Sequence, residues 1–434
     1  MKVKTIAEGG FKETEIGLIP NDWDLVNLGN KEYFEVLNSG IDKFENSKGY
    51  LSTSSIQWNK IIDVECDITY NDRPLRANMQ PRLDTVWFAK MKNTVKVYDF
   101  TKENQIEVEK YILSTGFTGL LCNRSITYPK YLGKIFLSPW FNQIKDNLAH
   151  GSTQKAVNNQ DIKKILIPLP SLLEQQRIAF VLSRIQQAIE QQDKIIETTR
   201  ELKKSLMNKL FTEGLHSEEQ KETEIGLMPK SWDAISVQDC CEVVTGGTPR
   251  TEVREYYKEG SIRWMKSGDI NTKPIYEVKN RITQLGLENS NARLMPEGTV
   301  VIALSGRGKT RGTTSVLKVD CTCSQSVAGM IPNLEKIDSF YLHYYMAYNY
   351  DKVRNITGDK DRSGLNLGLV RQIKIAKPKS TVEQKEIADA ILSIDKKIWK
   401  AESKKQTFQA LFGTMLNQLM NGKVRVKDFN FEVD

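Results

Sequence analysis

Thirteen residues near the start of the chain, KETEIGLIPNDWD (Lys12–Asp24), recur as KETEIGLMPKSWD (Lys221–Asp233), identical at ten positions and displaced by 209 residues. A match of that length at that distance marks a whole structural unit used twice. The same period returns elsewhere. LEQQRIAFVLSRI from Leu173 corresponds to VEQKEIADAILSI from Val382, so that Glu174-Gln175 match Glu383-Gln384. Ile178, Ala179, Ile185 and Ile189 then match Ile387, Ala388, Ile394 and Ile398, and Asn208 and Leu210 match Asn417 and Leu419. IKKILIPLP (Ile162–Pro170) corresponds to VRQIKIAKP (Val370–Pro378) at an offset of 208. Between these markers the copies diverge, leaving Glu35-Val36 against Glu242-Val243 and Ser55-Ile56-Gln57-Trp58 against Ser261-Ile262-Arg263-Trp264. The chain is a tandem duplication: an opening motif, a divergent body of about 140 residues, and a closing helix.

The closing segments carry the strongest periodicity. Steps of four and three from Ile178 meet Leu182, Ile185, Ile189, Gln192, Ile196, Thr199, Lys203, Leu206 and Leu210. The same steps from Ile387 meet Ile391, Ile394, Ile398, Ala401, Lys405, Phe408, Phe412, Met415 and Leu419. An apolar seam of period 3.5 with a polar break in its middle predicts two long helices packed on one another. Each should be about 60 Å long at ~1.5 Å per residue, beginning just after Pro170 and Pro378. If the N-terminal opening motif docks on the end of the second helix as its copy docks on the end of the first, the helices run antiparallel about a pseudo-two-fold axis. The expected shape is a dumbbell with one body at each end. The bodies mix short apolar runs such as VVIAL (Val300–Leu304) with Gly, Asn and Asp turns, which reads as α+β. Expected domains are 1–170, a helix over 171–214, a second body over 215–379, and a helix with its tail over 380–434.

With 434 residues there is room for two or three cores. The net charge of +8 permits a polyanionic partner without requiring one. No apolar run approaches the ~18 residues of a membrane span, and the N-terminus has no signal-peptide core, so a cytoplasmic location is expected. Six cysteines make no disulfide framework. Neither Cys240-Cys241 nor Cys321/Cys323 has CxxC spacing, and His150, His216 and His343 are far apart, so no metal site is expected.

Apparent chemistry dissolves on inspection. VVIALSGRGKT (Val300–Thr310) ends like a phosphate-binding loop, but Ala303 stands where its first glycine belongs. SPWF (Ser138–Phe141) resembles the catalytic tetrapeptide of amino-methyltransferases, with Trp140 in place of an essential proline and no FxGxG for a methyl donor. Asp269 with Glu277-Val278-Lys279 fits a loose nuclease pattern that nothing else supports. Catalytic residues are expected to be none. Basic and aromatic residues do cluster in both bodies: Arg73, Arg76, Arg82, Trp87, Lys90 and Lys92 with Gln154 and Lys155 in the first; Trp264, Lys266, Arg307, Lys309, Arg311, Lys360 and Arg362 in the second. Such residues can neutralise phosphates and read base edges.

Taken together, ETEIGLIPNDW, GSTQKAVNNQDIKKILIPLPSLLEQQRIA, TGGTPRTEVREYYKEGSIRWMKSGDI and the C-terminal NGKVRV (Asn421–Val426) make the chain resemble a type I restriction–modification specificity subunit over essentially its whole length. The second EQ segment departs from the usual IPLP-like approach, having AKPKSTV instead. The resemblance implies two similar target-recognition domains, each reading half of a bipartite, asymmetric double-stranded DNA target, and a coiled-coil pair of helices that sets the unread gap. It implies a non-catalytic subunit that binds two adenine methyltransferase subunits and two restriction/translocase subunits. S-adenosylmethionine, ATP and Mg then belong to those partners, and this chain carries no cofactor. Two other classes remain: a self-contained DNA-modification enzyme, which would bind a methyl donor alone, and a coiled-coil adaptor without DNA affinity. Contact with about six phosphates would lower affinity roughly a thousandfold between 50 and 200 mM salt. Residues inserted between Thr199 and Lys203 should lengthen the gap of the methylated target and leave both half-sites intact; an unchanged gap would show that the helices are not its ruler.

Overall fold

The computed structural model describes residues 6–7, 10–152, 154–306, 308–356 and 364–426. The chain divides into two compact units, Met1–Asp193 with Ser403–Asp434, and Lys194–Glu402. Two long helices, Leu172–Glu213 and Thr381–Met420, give one half to each unit.

The opening motif is a β-hairpin in both copies. Phe11–Thr14 pairs with Gly17–Pro20, and Gln220–Thr223 with Gly226–Pro229. The repeated Thr-Glu-Ile-Gly is its turn, in which Thr14 Oγ1 donates to the Gly17 carbonyl at 2.6 Å and Thr223 Oγ1 to that of Gly226 at 2.8 Å. Gly17 and Gly226 have φ of +104° and +107°, open to glycine and costly for other residues. The next strand, Asp24–Asn27, pairs antiparallel with Leu166–Leu169; its counterpart, Asp233–Ser236, pairs with Lys374–Lys377.

The repeated tryptophan and EQ pair meet at this joint. Trp23 and Trp232 are buried, and their indole N–H groups donate to Glu174 Oε2 at 3.1 Å and Glu383 Oε1 at 3.2 Å. Gln175 donates to the carbonyls of Ile126 (3.0 Å) and Pro170 (2.9 Å) and accepts from the Tyr128 N–H at 2.8 Å. Gln384 repeats the pattern with Lys336 (3.1 Å), Pro378 (3.2 Å) and the Asp338 N–H (2.9 Å). A buried amide with both its donor and acceptor ends engaged fixes the helix start against the body. At the C-terminus, Arg425 grips Glu174 and Asp22 through bonds of 2.7–2.9 Å, so NGKVRV closes on the N-terminal opening motif.

Each body has a four-stranded sheet of the same strand order. In the first unit Phe34–Val36, Phe117–Cys122, Thr85–Ala89 and Val97–Phe100 are neighbours in that order; in the second, Cys241–Thr245, Val327–Pro332, Val300–Ala303 and Thr314–Val316. A second sheet carries one parallel pair, Lys48–Leu51 with Tyr111–Ser114, or Ile262–Met265 with Thr322–Cys323. The central strand is buried on both faces. Val86 and Phe88 join the cluster with the helices while Trp87 and Ala89 pack toward the second sheet, and Val300/Ile302 against Val301/Ala303 repeat that alternation. This is the α+β architecture expected for both bodies. The tetrapeptide match SIQW/SIRW is not an equivalence, however. Trp264 lies in the strand matching Lys48–Leu51, whereas Trp58 tips the two-residue hairpin between Ile56–Gln57 and Lys60–Ile61, 55% exposed.

The seam residues are placed as follows. In the first unit Ile178 and Leu182 are buried with Phe412 and Leu419, and Ile185, Ile189 and Met415 pack partly buried against them. In the second, Leu210, Ile387 and Ile391 share one cluster with Leu206 at its edge, while Ile196, Ile394, Ile398 and Ala401 form another. Phe408 is half-buried. The segments run antiparallel within each unit: Glu174 pairs with Arg425 and Asp193 with Lys405 in one, Arg200 with Glu402 and Lys203 with Asp395 in the other.

Two polar seam positions are ion-paired, Lys203 with Asp395 and Lys405 with Asp193, and the two units solve one junction differently. Lys134 donates to Gln186 at 2.8 Å and lies 5.9 Å from the Phe412 ring. At the corresponding positions Tyr344 donates to Asp395 at 2.9 Å, and Lys203 bonds that carboxylate at 2.7 Å while lying 5.1 Å from the Tyr344 ring. Cation and aromatic have exchanged chain segments. Burial pushes the Lys134 ammonium down to about 8. Among the described residues no helix is long and apolar enough to cross a membrane.

Replacing Trp23 by alanine removes a fully enclosed indole and one donor to Glu174, and should destabilise the first unit by about 3–5 kcal/mol. Urea unfolding of the full chain measures this; a change below about 1 kcal/mol would show that the joint is not a structural anchor.

Candidate nucleic-acid interface

The basic residues of the first body are drawn together by main-chain bonding between segments distant in sequence. The turn 90–96 joins Thr85–Ala89 to Val97–Phe100. Lys90 N–H donates to the Gly116 carbonyl at 2.9 Å, Val157 N–H to the Lys90 carbonyl at 3.1 Å, and Lys92 N–H to the Lys155 carbonyl at 2.9 Å. Beside Gly116, Thr115 N–H donates to the Arg76 carbonyl at 2.8 Å. Arg76, Lys92, Gln154 and Lys155 are exposed on this edge, with Lys90 half-buried and its ammonium shifted down by desolvation. Four cationic side chains on one small edge suit a phosphate backbone.

Two expected contacts fall outside that group. Arg73 is turned onto its own loop, bonded to the Tyr70 carbonyl with its guanidinium 4.4 Å from the Tyr70 ring. Arg82 is exposed but leads into the Thr85 end of the central strand, whereas Lys90 follows its other end.

The second body builds the same edge with other side chains. Leu304 N–H donates to the Ser326 carbonyl at 2.9 Å and Leu365 N–H to the Leu304 carbonyl at 2.8 Å, matching the bonds of Lys90. Ser267 N–H adds a bond of 3.2 Å to Ser326 Oγ. Lys266, Ser267, Ser305, Ser324, Gln325 and Ser326 line a cleft of about 490 Å³ there. Lys309 is exposed in the turn, and the Lys266 ammonium lies 5.0 Å from the Trp264 ring. Trp264 and Arg311, expected to reach DNA, are interior residues. Trp264 is 4% exposed with its indole bonded to the Gly247 carbonyl at 2.9 Å, and Arg311 is 7% exposed in the wall of the turn. A ring and a guanidinium enclosed this way cannot stack on or bond to a base in this conformation. Arg307, Lys360 and Arg362 lie outside the described residues.

The serine and glutamine lining had no signal in the sequence. These residues are commonplace, come from three separate segments, and become a surface only when the strands pair.

The decoys find structural explanations. Val300–Ala303 runs through its turn into Thr314–Val316, an antiparallel hairpin and not the strand-to-helix passage of a nucleotide loop. Ser138 caps the helix Pro139–Asn147, accepting from the Phe141 N–H at 3.4 Å. Asp269 accepts from the Lys266 N–H at 2.8 Å, while Glu277 pairs with Arg281 and Arg263, holding its carboxyl below the usual range. His343 is buried against Thr314 Oγ1 at 2.9 Å, and desolvation lowers its imidazole to about 3. Cys66 is exposed and the other five thiols are buried and unpaired. Among the described residues no group of three or more His, Cys, Asp or Glu side chains could hold a metal ion.

The chain is thus a duplicated α+β protein in which each copy has a polar, partly basic edge. The family model for the type I restriction modification DNA specificity domain matches residues 37–199 and 229–407, and the chain belongs to this family, carrying its recognition domain twice. A putative type I restriction enzyme MjaX specificity subunit from Methanocaldococcus jannaschii is 27% identical over 97% of this chain and 98% of its own length. The EcoR124I/EcoR124II specificity subunit of Escherichia coli is 25% identical over 50% of this chain and 52% of its own. The fold resembles a type I restriction–modification S subunit from M. genitalium (TM-score 0.59, 15% identity, covering 92% and 96% of the two chains). It also resembles a chain from a study of type I system assembly (TM-score 0.55, 19% identity, 94% and 99% covered).

Replacing Lys92 and Lys155 by alanine should lower the slope of log affinity against log salt by about 0.9 for each phosphate contact removed. Fluorescence anisotropy with duplex DNA across a salt series reads this, and an unaltered slope would remove that edge from the interface.

Proposed function

We propose that each recognition domain reads one half of a bipartite, asymmetric DNA target through the edge formed by its central hairpin turn, and that the two long helices set the unread gap. One observation carries this reading. The two main-chain bonds of Lys90 recur at Leu304 on a repeated framework, yet the edge around them carries Lys90, Lys92, Gln154 and Lys155 in one domain and Lys266, Ser305, Lys309 and Gln325 in the other. A duplicated scaffold with no reading task would have no use for edges of such different chemistry on one shared frame.

In this reading main-chain geometry places the edge on the duplex, lysines neutralise phosphates, and glutamine and serine side chains bond base edges. The chain itself performs no catalysis. The repeated framework offers equivalent docking surfaces to two methyltransferase subunits, and two restriction/translocase subunits complete the assembly. S-adenosylmethionine, ATP and Mg act on those partners. The acid–base and loop motifs that suggested chemistry are committed here to caps, ion pairs and hairpin turns.

Single-molecule methylation sequencing tests the proposal, comparing cells that express the chain with its methyltransferase against cells lacking only the chain. A gapped, asymmetric adenine-methylation motif that depends on the chain is the expected result. A pattern indifferent to it, with the methyltransferase shown to be active, would favour an adaptor; methyl-donor binding by the purified chain would favour a self-contained modification enzyme.

A further inference from the structure

Each hairpin turn assigned above to DNA is bonded through its carbonyls to a cation on the second of two short helices packed in its domain. Lys145, in the helix Pro139–Asn147, is 1% exposed. Its ammonium donates to the carbonyls of Thr94 at 2.6 Å, Met91 at 3.1 Å and Ala89 at 3.5 Å. The neighbouring Asp146 accepts from the Asn93 N–H at 3.1 Å, where the chain takes φ of +58°. Residues 89–94 are thus held by two adjacent side chains of one helix. In the second domain the residue 209 positions later, Arg354 of the helix Tyr350–Asn355, donates to the Arg311 carbonyl at 3.3 Å and to the Tyr350 hydroxyl at 3.2 Å. Tyr350 in turn donates to the Lys309 carbonyl at 2.8 Å.

A buried ammonium is a poor choice for stability alone. Its desolvation is offset only by bonds to fixed acceptors, and an apolar side chain of similar length would fill the space at lower cost. The acceptors here are turn carbonyls. Asp146, at 3.4 Å, is the secondary partner. What the cation provides is geometry: three carbonyls converging on one point specify the path of the turn that displays Lys90 and Lys92. The carbonyls of residues 309 and 311 are held by Tyr350 and Arg354 of the corresponding helix, in a turn of different sequence.

We infer that Lys145 and Arg354 are positioning residues for target recognition, each setting the shape of one DNA-facing turn from behind without touching DNA. This rests on the proposed reading of the turns. It assigns specificity to two framework positions distinct from the exposed lysines.

The test uses the full chain assembled with its methyltransferase subunits, methylating a panel of duplexes with single base changes in either half-site. Lys145→Met should reduce the preference for the correct bases in one half-site by about tenfold, leave the other unchanged, and leave the salt dependence of binding unaltered. Arg354→Met should do the same to the other half-site, and Lys145→Arg should retain discrimination. Asp146→Ala, which frees the Asn93 N–H in the same turn, is the second variant should Lys145→Met fail to fold. Preference intact in folded Lys145→Met or Asp146→Ala, or lost equally in both half-sites, would overturn the inference. Lys92→Ala with Lys155→Ala separates the two ideas. If that pair leaves the salt slope and both half-sites untouched, the DNA-facing reading itself fails. If it acts while Lys145→Met does not, only the positioning role fails.

Discussion

The structure depends on a joint made twice, in which a buried tryptophan, the first turn of a long helix and an edge of the body are locked by largely buried hydrogen bonds. Trp23 donates to Glu174 and Trp232 to Glu383, while Gln175 and Gln384 each bond three main-chain groups around the start of the helix. Leaving any of these groups unpaired in the interior would cost on the order of 1–3 kcal/mol. Helix direction, the pairing of the opening strand and the orientation of the body are therefore set together. Arg425 adds the C-terminal segment to the first joint through Glu174 and Asp22.

That joint explains which residues of the duplication have stayed alike. The hairpin glycines, the tryptophan, the glutamate–glutamine pair and the apolar seam each meet a requirement that few residues satisfy: positive φ, a large enclosed ring with one donor, or a fully engaged amide. The bodies are freer. Their sheet orders coincide although few residues do, because a strand buried on both faces needs only β-forming apolar residues in alternation, a demand that Thr85–Ala89 and Val300–Ala303 meet with different side chains. The exchange of cation and aromatic between Lys134/Phe412 and Lys203/Tyr344 shows the same tolerance inside the core.

Divergence concentrates where backbone pairing exposes side chains without constraining their identity. Main-chain bonds from Lys90 and from Leu304 place equivalent turns against equivalent segments whatever those turns carry. A recognition surface built on such a ladder can change its chemistry while its frame stays still. In the first domain the surface is lysine-rich; in the second it is a serine- and glutamine-lined cleft with Lys266 at its rim. Helix positions behind the turns, Lys145 and Arg354, link the frame to the surface.

By itself the sequence determined the duplication, the two long helices with their seam, and the α+β character of the bodies. These are properties of repetition and local period, and a helix of 3.6 residues per turn writes its buried face into the spacing of Ile178, Leu182, Ile387 and Ile391. The resemblance to specificity subunits was legible for the same reason, since the motifs that carry it are the joint and the helices. Tertiary structure alone decided the surface. Arg76, Lys90, Lys92 and Lys155 share an edge only because strands far apart in sequence pair in one register, which also turns Arg73 onto Tyr70, takes Arg82 to the other end of the strand, and encloses Trp264 and Arg311. Ser55–Trp58 and Ser261–Trp264 look alike in sequence and occupy different places, one a hairpin tip and the other a buried strand. Residue type states what a side chain could bind; register between distant strands decides whether it faces solvent at all.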